Sequence, residues 1–251
     1  MEKYNLGLVS ISFRNHSPKE ILEKMKEANL SCIEWGSDVH APYNDMEKLN
    51  EIVSFQKEYG ISCSSYGTYF RLGETPIEEL YGYIKAAKIL GTNILRLWCG
   101  TKSGKDMTDE EKNFLISECK KTAEIAKEND VVFCMECHQN TFTENLDDIC
   151  FLMQTVNSPN FRMYWQPFQN LEFEENLFIA KNVAPYNEHI HVFNWKGKER
   201  FPLSHAKNVW QSFLKEFPYP KTLLLEFMPD GKLSTLKQEA KALFDIIGGL
   251  I

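Results

Sequence analysis

A short apolar run, rich in β-branched and aromatic residues, recurs eight times along the 251 residues. Each run is followed by a longer segment of helical period. The runs are Leu6–Phe13, Cys32–Gly36, Ile61–Tyr66, Asn93–Cys99, Val131–Cys137, Arg162–Gln166, Ile190–Trp195 and Thr222–Phe227. The repeat averages about 31 residues, the length of one strand–helix unit. Strands that alternate with helices pair in parallel through right-handed crossovers. Eight near-equal units predict a (β/α)8 barrel, a TIM barrel, forming a single domain over residues 1–251. A doubly wound sheet of the dinucleotide-binding kind is disfavoured, because no G-x-G-x-x-G follows the first run. No linker rich in Pro, Gly and Ser divides the chain.

The helix signals agree with this partition. Ser17-Pro18-Lys19-Glu20 reads as a capping box with proline at the first helical position. Thr75-Pro76-Ile77-Glu78 repeats the pattern, and Gly91 stands where that helix should stop. Further helices are expected from Thr108 to Glu128, with Phe114 on the apolar face, and from about Ser234 to Ile247, with Phe244 on it.

Composition narrows the function classes. There are 28 basic and 35 acidic residues, a net charge of −7, which repels nucleic acid on average. No apolar run approaches the ~18 residues of a membrane span, and the N-terminus lacks the layout of a secretory signal. Seven cysteines without scaffold-like clustering imply reduced thiols, so a cytoplasmic location is expected.

In this fold the active site lies at the C-terminal ends of the strands. Those ends carry Glu34, Arg96, Trp98, Glu136, His138, Gln166, His191, Trp195, Lys196 and Glu226. Ionisable residues inside otherwise apolar strands are costly unless they pair, bind metal or do chemistry. Alternation puts Glu136 on the face of Cys134 and His138, and Glu226 on that of Leu224. If these faces point to the barrel axis, two carboxylates, an imidazole and an amide converge from four consecutive strands. Such a set suits Mn²⁺ or Mg²⁺ and tolerates Zn²⁺ or Co²⁺. The alternative is that the glutamates form structural ion pairs, Glu34 with Arg96 for example.

The Glu136-x-His138 ending, the His191-Val-Phe-x-Trp195 strand and the Leu-Leu-Leu-Glu226-Phe strand, one motif per unit, resemble the xylose isomerase-like barrels. The resemblance runs from Leu6 to about Ile247. Ile33-Glu34-Trp35-Gly36, Leu95-Arg96-Leu97-Trp98 and Tyr164-Trp165-Gln166-Pro167 bring it nearest to the sugar phosphate isomerase/epimerase group. The resemblance implies one divalent metal held by Glu136, Gln166, His191 and Glu226. It also implies that Glu136 and Glu226 act as the catalytic pair, moving protons on opposite faces of a sugar carbon through an enediolate. Gln166 departs from the family's aspartate, and Gln169 from its histidine. These departures leave open an inosose-type dehydratase or a sugar-binding barrel whose metal site has decayed. His138, Arg96 and Lys196 are implied to hold hydroxyl or phosphate oxygens, and Trp35, Trp98 and Trp195 to stack on the sugar. Glu34 joins the substrate contacts. His40 either reaches the pocket from the second loop or is a plain loop histidine. An AP endonuclease relative would need a trinuclear zinc site and a basic rim, which six histidines and an acidic balance do not provide. The expected partner is thus a small sugar or sugar phosphate, with no nucleic acid and no membrane.

Other conspicuous residues have plainer readings. Cys134 and Cys137 form C-x-x-C, but positions three apart on a strand face opposite sides and cannot share a ligand. Gly100 to Asp106 has the wrong spacing for a phosphate loop. Aromatics within residues 168–178 would suit a homodimer.

Overall fold

The computed structural model describes residues 4–217 and 221–250. Eight parallel strands close into a barrel: β1 (Tyr4–Val9), β2 (Cys32–Gly36), β3 (Ser62–Arg71), β4 (Ile94–Trp98), β5 (Val132–Glu136), β6 (Phe161–Trp165), β7 (Asn187–Val192) and β10 (Lys221–Leu225). Between β7 and β10 lies a small antiparallel hairpin of β8 (Trp195–Lys196) and β9 (Glu199–Arg200). Eight helices form the outer layer: α1 (Pro18–Glu27), α2 (Met46–Tyr59), α3 (Leu80–Leu90), α4 (Asp109–Glu128), α5 (Leu146–Val156), α6 (Phe173–Val183), α7 (Lys207–Lys215) and α8 (Leu236–Gly248). The single-domain (β/α)8 barrel expected from the repeat is the fold observed. No helix among the described residues is long and apolar enough to cross a membrane.

Strand alternation sorts the side chains into two shells. Leu8, Ile33, Trp35, Leu97, Phe133, Met135, Trp165, Ile190 and Leu225 pack outward against the helices in one large core. Val9, Cys32, Cys134, Tyr164 and Leu224 form a second cluster inside the barrel. Gly7 sits against this inner layer: a Cβ there would lie 2.1 Å from the Cys32 carbonyl and 2.7 Å from Leu224. Cys134 and Cys137 are both buried and fall into different clusters, as their spacing requires.

Several boundaries differ from the sequence reading. Ser10–Phe13 is a 3-10 turn, not strand, and β3 runs on to Arg71. The capping box at Ser17 forms as expected, and another closes at Thr108. Thr75 does not cap a helix; its hydroxyl accepts from Arg71 N–H, and a 3-10 turn at Ile77–Glu79 precedes α3. Gly91, at φ +87°, ends α3 in the left-handed conformation that favours glycine. Phe114 and Phe244 are 55% and 39% exposed, off the apolar faces to which periodicity assigned them. Within residues 168–178, Phe168 is buried and Phe178 faces solvent.

Candidate active site

The strand-end charges meet inside the barrel mouth. Arg96 is buried and bridges two carboxylates, Nε to Glu34 Oε1 at 2.9 Å and Nη1 to Glu136 Oε2 at 2.6 Å. Trp98 Nε1 also donates to Glu136 Oε2. His191 is fully buried, with Nε2 3.5 Å from Glu34 Oε2 and Nδ1 3.3 Å from Glu136 Oε1 and 3.7 Å from Glu226 Oε2. The Nδ1 approaches lack hydrogen-bond geometry, so that nitrogen is left unsatisfied. Glu226 accepts no hydrogen bond among the described residues, and His191 is its nearest ionic neighbour.

A bulge in β3 completes the floor. The register between β2 and β3 shifts after Ile33, so Ser65 rather than Ser64 stands opposite Glu34. Ser65 Oγ donates to Glu34 Oε2 at 3.0 Å and lies 3.2 Å from the Tyr164 hydroxyl. The Tyr164 ring packs 4.5 Å from that of His191. Ser65 and Tyr164 were not among the expected site residues. The inward parity of Tyr164 with Gln166 was the available signal, whereas the bulge that turns Ser65 inward leaves none.

Burial alone would raise the pKa of every carboxyl here, and the partners decide the outcome. Arg96 and His191 hold Glu34 well below the ordinary carboxylate range. Arg96, helped by His191 and His138, brings Glu136 down to about 2. Glu226 has no such grip, and burial raises it. Burial would lower His191, but the charges of Glu226 and Glu34 raise it to about 10. The barrel thus holds a permanent anion at Glu136 beside a carboxyl at Glu226 that takes up a proton more readily.

A cation fits this arrangement. Glu136, His191 and Glu226 each offer a ligand atom, and those atoms lie within 4.8 Å of one another. Gln166, just past β6, donates Nε2 to Cys137 O at 3.0 Å, and its buried Oε1 has no partner. Glu136, Glu226 and the unsatisfied His191 Nδ1 make a donor set suited to a divalent ion, and Gln166 Oε1 is a further buried oxygen without a partner at the end of a barrel strand.

The remaining expected residues divide. Trp98 stands in the mouth, its ring 5.0 Å from that of His138. A cavity of about 420 Å³ opens beside Gln166, lined by His138, Gln139, Gln169, Trp195 and Lys198 among others. Trp35 is not there. Because Glu34 points inward its neighbour must point outward, and Trp35 is buried with Nε1 donating to Gln56 on α2 at 3.0 Å. His40 is also closed off: its ring nitrogens lie 3.1 Å from Ser10 Oγ and from His16 O, and burial lowers its pKa to about 4. Lys196 is not in the lining of this cavity and pairs with Glu172 at 3.7 Å; Lys198 lines the cavity instead. Glu34 and Arg96 are spent on each other and on Glu136, so the ion-pair alternative holds for them, and neither is open to a substrate.

The molecule is therefore a (β/α)8 protein whose C-terminal mouth gathers two glutamates and a histidine around space for one cation. The chain belongs to the xylose isomerase-like TIM barrel family, whose model matches residues 22–245. It is similar to 3-dehydroshikimate dehydratase of Bacillus anthracis, with 21% identity over 222 residues, 83% of this chain and 77% of that protein. The fold matches that of D-psicose 3-epimerase from Clostridium cellulolyticum, solved with D-tagatose, at a TM-score of 0.72 and 14% identity over 98% of this chain and 99% of that one. It matches the IolI protein, solved with a zinc atom, at a TM-score of 0.76 and 16% identity, again over 98% and 99%.

Proposed function

We propose that this protein is a metal-dependent isomerase or epimerase of a sugar or sugar-like compound that moves a proton on a carbon next to a carbonyl. The observation that carries the reading is the convergence of Glu136, His191 and Glu226 within 4.8 Å at the end of an otherwise apolar barrel. Glu136, Gln166, His191 and Glu226 would hold the divalent metal, Mn²⁺, Mg²⁺, Zn²⁺ or Co²⁺. When bound, such an ion acts as a Lewis acid toward a carbonyl and stabilises charge on its oxygen.

The chain's own groups do the rest. Glu226, free of any ion pair with Arg96 and raised in pKa, removes the proton. Glu136, held as an anion by Arg96 and Trp98, serves the other face by relaying a proton from solvent water, since it carries none of its own. His138 offers a ring nitrogen to hydroxyl groups at the cavity edge, and Trp98 and Trp195 supply apolar walls for the carbon skeleton. The relatives named dehydratase and epimerase agree with chemistry of this type.

The test is exchange of the α-proton with deuterated solvent, followed by NMR, on metal-loaded protein with ketoses, aldoses, their phosphates and inososes. Exchange on at least one compound is expected. No exchange on any, with no metal retained after purification, would overturn the reading in favour of a binding-only barrel.

Dehydration is the second reading, favoured by the unequal grip on the two carboxylates. Loss of water from a β-hydroxy ketone needs one base to take the α-proton, and Glu226 alone is free enough to serve. An enone product absorbing in the near ultraviolet, with no epimer formed, would select it.

A further inference from the structure

Two arginines at the mouth lack the partner that the others have. Of the five arginines in the chain, Arg14 pairs with Asp38, Arg96 with Glu34 and Glu136, and Arg162 with Glu188. Among the described residues Arg71 and Arg200 have no carboxylate within ion-pair distance. In a chain where acidic residues outnumber basic ones 35 to 28, a guanidinium free of carboxylates is not the default.

Both are held instead by aromatic faces that border the site. The Arg71 guanidinium carbon lies 4.0 Å from the centroid of the Trp98 ring, and Nη1 donates to Gly100 O at 3.1 Å. The Arg200 guanidinium lies 4.6 Å from Trp195 and 4.5 Å from Phe227, two rings that stack on each other at 5.2 Å. Trp98 is the residue whose indole N–H grips Glu136, and Phe227 directly follows Glu226. Phe227 adopts φ +52°, a left-handed conformation costly for a bulky residue, with its N–H donated to Ser12 Oγ at 2.8 Å. In this conformation the Phe227 ring lies 4.5 Å from the Arg200 guanidinium.

The two arginines stand on different sides of the mouth. Arg71 belongs to the β3–β4 side of the ring of strands and Arg200 to the β7–β10 side, which lie opposite one another. Stacking fixes a guanidinium plane while leaving edge N–H donors for other acceptors. Planar forks of this kind recognise carboxylate and phosphate oxygens with two parallel hydrogen bonds. We infer that Arg71 and Arg200 receive an oxyanion of the substrate, a carboxylate or a phosphate, so that the compound turned over at Glu136 and Glu226 is an anionic polyol rather than a neutral sugar. This rests on the proton-transfer reading of the same mouth and names the class of its substrate.

The test measures binding apart from turnover. Metal-loaded protein is titrated by calorimetry at constant ionic strength with D-gluconate, D-fructose 6-phosphate and D-fructose. At least one anion should bind about tenfold more tightly than D-fructose. Gluconate alone marks a carboxylate site, and the phosphate ester alone marks a phosphate site. Arg71→Gln and Arg200→Gln should each bring the anion-to-neutral ratio close to one. Arg200 is exposed, so its substitution leaves the fold intact even if Arg71→Gln disturbs the loop at Gly100. Anion affinity no better than that for D-fructose, or a preference that survives both substitutions, overturns the assignment. Proton exchange, measured separately, keeps the two claims distinct. Exchange without an anion preference removes the arginine site and spares the reaction, and an arginine-dependent preference without exchange does the reverse.

Discussion

Arg96 and Glu34 form an ion pair sealed from solvent, Nε to Oε1 2.9 Å, against the face of Gly67. A buried charge pair is a doubtful source of stability by itself, since desolvation offsets much of the attraction. Its use here is positional. It sets the guanidinium so that the other arm holds Glu136, and it places a carboxylate oxygen 3.5 Å from His191 Nε2. A carboxylate behind a histidine orients the ring and keeps the far nitrogen turned toward the site.

Gly67 is the first place to test this. A Cβ there would meet Glu34 Oε1 at 2.6 Å and Arg96 Nη2 at 2.9 Å, both in a packed interior. Gly67→Ala should therefore cost about 1–3 kcal/mol by overpacking, read from the urea midpoint. An unchanged midpoint would show that the pair can shift without loss.

Stability should also fall at both ends of the pH range in protein stripped of metal with a chelator. Glu136 is lowered from an ordinary 4.5 to about 2, so its contribution is present above pH 4.5 and is lost as the pH falls toward 2. Glu34 is lowered as well and acts in the same direction. His191 is raised from 6.5 to about 10, so its contribution is complete below pH 6.5 and is lost as the pH rises toward 10. Glu226, raised by burial, opposes the other two glutamates in the acid range. Urea midpoints at pH 6 and pH 9.5 should differ in wild type and differ less in His191→Gln. A wild-type midpoint that does not move between those pH values would count against a charged His191.

Gln166 offers a neutral oxygen where a hard cation prefers a charged one. Gln166→Asp should tighten Mn²⁺ or Mg²⁺ binding about tenfold by calorimetry, even though it gives up the hydrogen bond to Cys137 O. Unchanged or weaker binding would place Gln166 outside the ligand set.

The two glutamates should respond differently in catalysis. Glu226→Gln removes the free base and should lower α-proton exchange ~10²–10⁴-fold with the fold retained. Glu136→Gln leaves Arg96 with one fewer buried partner, so it should lower both exchange and the unfolding midpoint. Metal content measured on each variant separates loss of the base from loss of the ion. Wild-type exchange rates in both variants would falsify the two-glutamate assignment.

The strand–helix partition was legible because periodicity is a local property. Every barrel strand overlaps an expected run, and the inward parity of Glu136 with Cys134 and of Glu226 with Leu224 follows from alternation alone. The same rule, applied to neighbours, would already have separated Glu34 from Trp35, which cannot face the same side of one strand.

Partnership between side chains was not legible. Arg96 reaches Glu34 across 62 residues and Glu136 across 40, and His191 reaches Glu34 across 157. Those encounters depend on how the barrel closes and where β3 bulges, neither of which is written in any one segment. Alternation and the eightfold repeat are enough to crowd the charged groups at the C-terminal ends of apolar strands, because they have nowhere else to point. Barrel closure settles which of them neutralise one another, Glu34 with Arg96, and which stay open, Glu226, Gln166 Oε1 and the arginines of the rim. Coulomb energy and desolvation act through space, and distance through space is set by the closed barrel.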